Sequence, residues 1–216
     1  MSENQDKFGL ATLPPSDVAR NQEFDKIVAS AWLPRLELKG SNSDAVKEEL
    51  VPVGYALVTS KTNMKGLGKT INIVPIEFRY KAVRICKDGA ILTSYDPKSE
   101  KFRAIMAESD IKDSGCMYGP EFLVAIQDVG IATLHCNSKS HRLVAPQIKD
   151  RLRKGATLGV DLAENAKGKW NVITVKDFGG QFEIDIQKVT DELPKFLNPK
   201  EDGVEVAKPV ESSRER

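Results

Sequence analysis

The chain has 216 residues, 40% hydrophobic and 29% charged, with a formal net charge of +1. That size suits one ordinary domain with tails, or two small ones, and no run approaches the roughly 18 apolar residues a membrane-spanning helix needs. Cys86, Cys116 and Cys136 are odd in number and far apart, so no disulfide framework is expected; with no basic-then-apolar leader either, the expectation is a cytoplasmic protein.

Residues 1–26 are polar, broken by Pro14-Pro15, and read as a flexible N-terminal arm; 27–197 read as the folded domain. Within it, 55–59 and 69–74 look extended. Ile76, Phe78 and Tyr80 alternate with Glu77, Arg79 and Lys81, which predicts a strand with aromatics on the core side and solvated cations on the other. The alternation slips near Ala82, as a β-bulge would produce. Lys87-Asp88-Gly89 signals a turn into a partner strand over 90–95. Asp128-Val129-Gly130 joins 122–127 to 131–136 as a hairpin.

Residues 138–155 break the β pattern. Leu143, Val144, Ile148 and Leu152 recur at helical spacing, Pro146 is placed to open the helix and Gly155 to stop it. Two more strands, 157–162 and 170–175, flank Asn165-Ala166-Lys167-Gly168. From 198 on, the chain is charged and lacks aromatics, so a disordered tail is expected. The predicted class is mainly β: an OB-like Greek-key barrel with one helix between strands and flexible ends.

Charge is unevenly spread. Residues 61–103 hold 10 basic and 4 acidic side chains, and 139–154 hold 6 and 1, in a chain of almost balanced charge. A fold that joins these stretches makes a positive surface attractive to polyanions. The phosphate contacts expected from them are Lys61, Lys65, Lys69, Arg79, Lys81, Arg84, Lys139, Arg142, Arg151 and Arg153. Lys149 and Lys154 lie in the same basic run. Trp32, Tyr80, Tyr95 and Trp170 are the expected stacking platforms, with Tyr55 and Tyr118 further candidates.

Other chemistry finds little support. Gly66-Leu67-Gly68-Lys69-Thr70 has Asn63 where a P-loop needs its first glycine, and it leads into a β-branched run instead of a helix. The adjacent His135 and Cys136 point to opposite faces of a strand, His141 is six residues from His135, and no zinc spacing occurs. With no nucleophile–base pattern either, no cofactor, metal or catalytic activity is expected.

Several phrases together resemble a family: Trp32-Leu33-Pro34-Arg35-Leu36, Leu67-Gly68-Lys69, Thr93-Ser94-Tyr95-Asp96-Pro97, the run from Asp113 through Leu123, and Ser138-Lys139-Ser140-His141-Arg142. They are similar to phage-encoded proteins viewed as OB-fold single-stranded DNA-binding proteins, over residues 32–178. The resemblance implies non-sequence-specific single-stranded DNA binding in phage replication or recombination, in the host cytoplasm. Replication or recombination proteins and a second copy of the chain are the implied partners. Many replicative single-strand binders end in an acidic tail tipped by an aromatic, whereas this chain ends Ser212-Ser213-Arg214-Glu215-Arg216. The alternatives are a structural or assembly protein of the virion and a protein-binding accessory factor.

Overall fold

The computed structural model describes residues 33–41, 43–60, 63–87, 90–111, 113–165, 168–199 and 205–206. Among the described residues run ten strands, β1 (Arg35–Lys39), β2 (Gly54–Val58), β3 (Met64–Gly68), β4 (Thr70–Ile85), β5 (Ala90–Ser94), β6 (Cys116–Ile126), β7 (Gly130–His135), β8 (Ala156–Asn165), β9 (Gly168–Asp177) and β10 (Glu205–Val206). Helices α1 (Asp44–Lys47), α2 (Glu100–Glu108), α3 (Lys139–Lys149) and α4 (Ile186–Leu197) complete it. The protein is mainly β, one sheet curled into a half-barrel.

β4 is the spine. It runs antiparallel to β6 from Ile73 to Arg84 on one edge. On the other edge it pairs with β8 over Thr70–Ile73 and with β5 over Ala82–Ile85. β6 continues into β7, β7 meets β1 in parallel at Thr133 and Arg35, and β8 continues into β9. The segment 69–74 and the alternating segment that starts at Ile76, read separately, are therefore one strand. Pro75 is tolerated within it because a bulge follows: Pro75 faces Val124, Glu77 faces Leu123, and Ile76 is the extra residue.

That bulge, not a slip at Ala82, resets the two faces. Ile71 and Ile73 point into the half-barrel, Val74 and Ile76 point out, and past the bulge Phe78, Tyr80 and Ala82 point in again. The inner core gathers Leu36, Tyr55, Phe122, Leu134, Leu158 and Ile173, with Val144, Ala145 and Ile148 of α3. On the outer face α4 covers an aliphatic patch of Val74, Ile76, Leu123, Ala125 and Ile131 with Phe182, Val189 and Phe196.

α3 begins earlier than Pro146 would suggest. The Ser138 hydroxyl accepts from the amide of His141, which fixes the first turn at Lys139 and leaves Pro146 inside the helix. Burial of the Val144–Ala145–Ile148 stripe outweighs the lost backbone bond. Leu143, expected to help hold this helix down, is 77% exposed. α2 is capped by Ser99 and buries Phe102 and Ile105 against Ala82 and Cys116. α4, capped by Asp185, ends at Leu197, one residue before the expected start of the tail; Glu205–Val206 add to the edge of β5.

The Gly66–Thr70 segment is a corner between β3 and β4. A Cβ on Gly54 would lie 2.5 Å from the Gly68 carbonyl, and Gly68 has φ +95°. Close backbone approach and a left-handed turn account for these glycines without a phosphate. No described helix is long and apolar enough to cross a membrane.

Candidate nucleic-acid interface

Past the bulge, β4 and β6 present two different rows. On the inner face stand Phe78 and Tyr80 of β4, with Tyr118 of β6 opposite Ala82. The Phe78 and Tyr80 rings meet edge-on, centroids 6.0 Å apart, and Tyr80 is 45% exposed. α3 runs alongside. Its Lys149 Nζ lies 4.3 Å from the centre of Phe78, and its Arg142 guanidinium lies 4.5 Å from the centre of Tyr118. Seven residues of helix span about 10.5 Å, and the four strand residues from Phe78 to Ala82 span about 13 Å. One cation thus covers each end of the row, and Tyr80 is left bare between them. Arg142 also reaches Asp110, just past α2, at 3.6 Å.

The outer row has the opposite character. Glu121 is 2% exposed and takes Arg79 at 2.7 Å on one oxygen and Lys81 at 2.7 Å on the other. Burial alone would raise its pKa; Lys81 and Arg79 outweigh that and hold the carboxyl below its usual range. The Arg79 guanidinium lies between the rings of Tyr95, at 4.0 Å, and Phe196, at 4.3 Å, and donates to the Phe196 carbonyl at the end of α4. His135, opposite Glu121 on β7, is lowered to about 4 by burial, and its Nε2 lies 3.3 Å from the Lys81 carbonyl. Gly119 is obligatory beside this contact, because a Cβ there would collide with the Cys136 carbonyl.

Arg79 and Lys81 were expected to be solvated. They are instead mostly buried, at 16% and 20% side-chain exposure, because α4 covers this face and Glu121 supplies the countercharge. Tyr95 has one ring face occupied by Arg79, and Tyr55 is fully buried, with its ring 6.3 Å from that of His141. Tyr55 is a core residue, whereas Tyr95 is part-buried with one ring face taken.

The remaining expected contacts are dispersed. Arg84 sits against α2, paired with Glu108 and donating to Cys116 Sγ at 3.2 Å. Arg151 pairs with Asp177 at 2.8 Å; Arg153, 57% exposed, approaches Glu77 at 3.8 Å. Lys69 is exposed at the β3–β4 corner, and Lys65 lies in β3 opposite Leu57. Lys139 opens α3, and Trp170 pairs with Ala163 in the β8–β9 ribbon. Lys61 and Trp32 lie outside the described residues, as does the N-terminal arm.

Tyr80, Arg142 and Arg153 are thus the expected residues on or beside the inner row. Phe78, taken as core, and Lys149 complete it, and the seven-residue spacing of Arg142 and Lys149 was the available signal. The two basic stretches do adjoin, where Lys149 and Arg153 meet Phe78, Glu77 and Pro75. Among the described residues no group of three or more His, Cys, Asp and Glu could hold a metal. Burial pushes the Cys136 thiol up to about 12, so it is held protonated, and lowers His141 to about 4. Along the inner row Tyr80 can stack a planar ring and the exposed Lys149 can attract an anion, while Arg142, 21% exposed, is held between Tyr118 and Asp110. Compared with protein-family models, curated proteins and solved structures, the chain matches none.

Proposed function

We propose that the protein binds single-stranded DNA with little sequence preference, in the replication or recombination of a phage genome, and that the inner row of β4 and β6 is its binding surface. The observation that carries this reading is the exposed Tyr80 ring between Lys149 on Phe78 and Arg142 on Tyr118. Sequence-tolerant single-strand binding combines aromatic platforms with cations along the backbone path.

Connectivity supports it. β4, β6, β7, α3, β8 and β9 follow in the order of an oligonucleotide-binding barrel: a long bent first strand, a hairpin, a helix, then a second hairpin whose first strand returns to the long strand. Here β7 pairs with β1 in place of the last strand, which leaves the barrel open. β5 and α2 then form an insertion between its first two strands.

The test is fluorescence polarisation of a labelled thymidine 20-mer across salt concentrations. Many cations are internally paired, so about 3–4 phosphates would be neutralised, giving a log–log salt slope of about −2 to −3. Exchanging Arg142 and Lys149 for glutamate should abolish most binding. Salt-independent affinity, or none, would end this reading and favour an assembly or protein-binding module.

A further inference from the structure

β4 carries a notch. On the edge away from β6 it pairs with β8 up to Ile73 and with β5 from Ala82 onward, so residues 74–81 have no strand partner there among the described residues. Two groups in the notch are already used. The Pro75 carbonyl accepts from the amide of Arg153, and the Phe78 amide donates to the carboxylate of its neighbour Glu77 at 3.0 Å.

Tyr80 is different. It stands opposite Pro120, which has no N–H and whose carbonyl accepts from Cys136 on the far side. In an antiparallel ladder the N–H and C=O of one residue point the same way. Tyr80 therefore turns both groups away from β6 and into the notch, and the Phe78 carbonyl, two residues back, points there too. An acceptor and a donor lie side by side at the foot of a half-exposed phenol ring. Lys149 lies over Phe78 on one flank, and Arg153 is 57% exposed at the upstream end.

Resting on the nucleic-acid reading above, we propose that the notch holds one unpaired nucleobase, its ring on Tyr80 and its base-pairing edge on the Phe78 carbonyl and the Tyr80 amide. All four bases present a donor beside an acceptor on that edge, so main-chain groups can serve each of them and little sequence preference results. A base pair uses up the same groups, so duplex is excluded by chemistry as well as shape. An added peptide strand fits less well, because its ladder would need the Phe78 N–H that Glu77 already holds and a Pro75 N–H that does not exist.

The experiment compares a thymidine 12-mer with the same oligomer methylated at every thymine N3, which blocks the edge and leaves the ring and phosphates intact. The full chain is used, with 15N in its 4 tyrosines. Methylation should weaken binding about 10-fold, the scale of one or two lost hydrogen bonds. The N3 methyl removes the donor that the Phe78 carbonyl takes and holds the ring off the strand edge, so the Tyr80 amide signal should move further with the unmodified oligomer than with the methylated one, and Tyr80→Ala should bring the two affinities together. Equal affinity for both oligomers with an unmoved Tyr80 amide would overturn the notch and leave single-strand binding standing. No affinity for either would remove the binding reading and the notch with it. A Tyr80 amide that responds to an extended peptide and not to the oligomer would reassign the notch to a protein strand.

Discussion

Replacing Glu121 with leucine should cost about 3 kcal/mol of stability, near the low end of the range for breaking a buried ion pair. The side chain is 2% exposed and is the shared counter-ion of Arg79 and Lys81, so its loss leaves two cations without a carboxylate. Their residual exposure, 16% and 20%, lets them recover some hydration, which keeps the cost from the upper end. For a chain of this size that is a fall in Tm of about 6–12 °C. Adding Lys81→Met to Glu121→Leu should restore part of the loss, because it removes one orphaned charge while keeping apolar volume. The control is Asp177→Ala, whose carboxylate is 86% exposed beside Arg151 and should cost about 1 kcal/mol or less. Urea denaturation of the four proteins at neutral pH reads all of these. A Glu121→Leu loss below that of Asp177→Ala, or a further loss on adding Lys81→Met, would refute the shared counter-ion.

Acid should act through the histidines. His135 and His141 are lowered to about 4 by burial; between that value and the ordinary ~6.5 the unfolded chain binds more protons, so stability falls as pH drops through this window, by up to about 3 kcal/mol per histidine. The Glu121 contribution is lost at still lower pH, as its depressed carboxyl protonates. A urea midpoint that stays flat from pH 6.5 to 4.5 would contradict both burials. Truncation after Asp185 uncovers Val74, Ile76 and Leu123 and should leave a chain that binds a hydrophobic dye, whereas truncation after Pro199 should shift Tm by only a few degrees, as differential scanning fluorimetry would show. Leu143→Ser should change stability by no more than about 0.5 kcal/mol despite its place in the helical register, since the side chain is 77% exposed; a larger loss by urea titration would mean that this helix face is covered.

What could be read from residue order was the local pattern. The hairpins around Asp128 and Asn165, the helix between them and the strand through Phe78 follow from alternation and turn chemistry acting over a few residues. Of the three described helices that went unread, two were equally local. Ser99 three residues before Phe102, and Val189, Leu193 and Phe196 after Asp185, are capped amphipathic patterns. The position of the bulge was not local. It depends on Pro75 and Ile76 meeting Val124 and Leu123, about fifty residues away, and it decides which of Phe78 and Arg79 faces the half-barrel. Alternation did put Phe78 and Tyr80 on the core side and Arg79 and Lys81 opposite them; what it could not show is that α4 and Glu121 cover the cations' side. Glu121 could not be singled out in the sequence, because nothing in its neighbourhood announces Arg79 and Lys81.

The spine strand also sets an order of events during synthesis. β4 can zip onto β6 once about fifty further residues have emerged, but its first four residues wait for β8; Asn72 meets Thr157 across 85 residues of chain. Through that interval a long strand has one bare side, the condition under which nascent chains pair with one another. Pro75 without its N–H and Glu77 folded onto the Phe78 amide interrupt the bare side at its centre. The residues that keep the notch from being a β-ladder would then also guard the half-made protein, and refolding from denaturant should be slow, on the order of milliseconds to seconds, as non-local strand pairing demands.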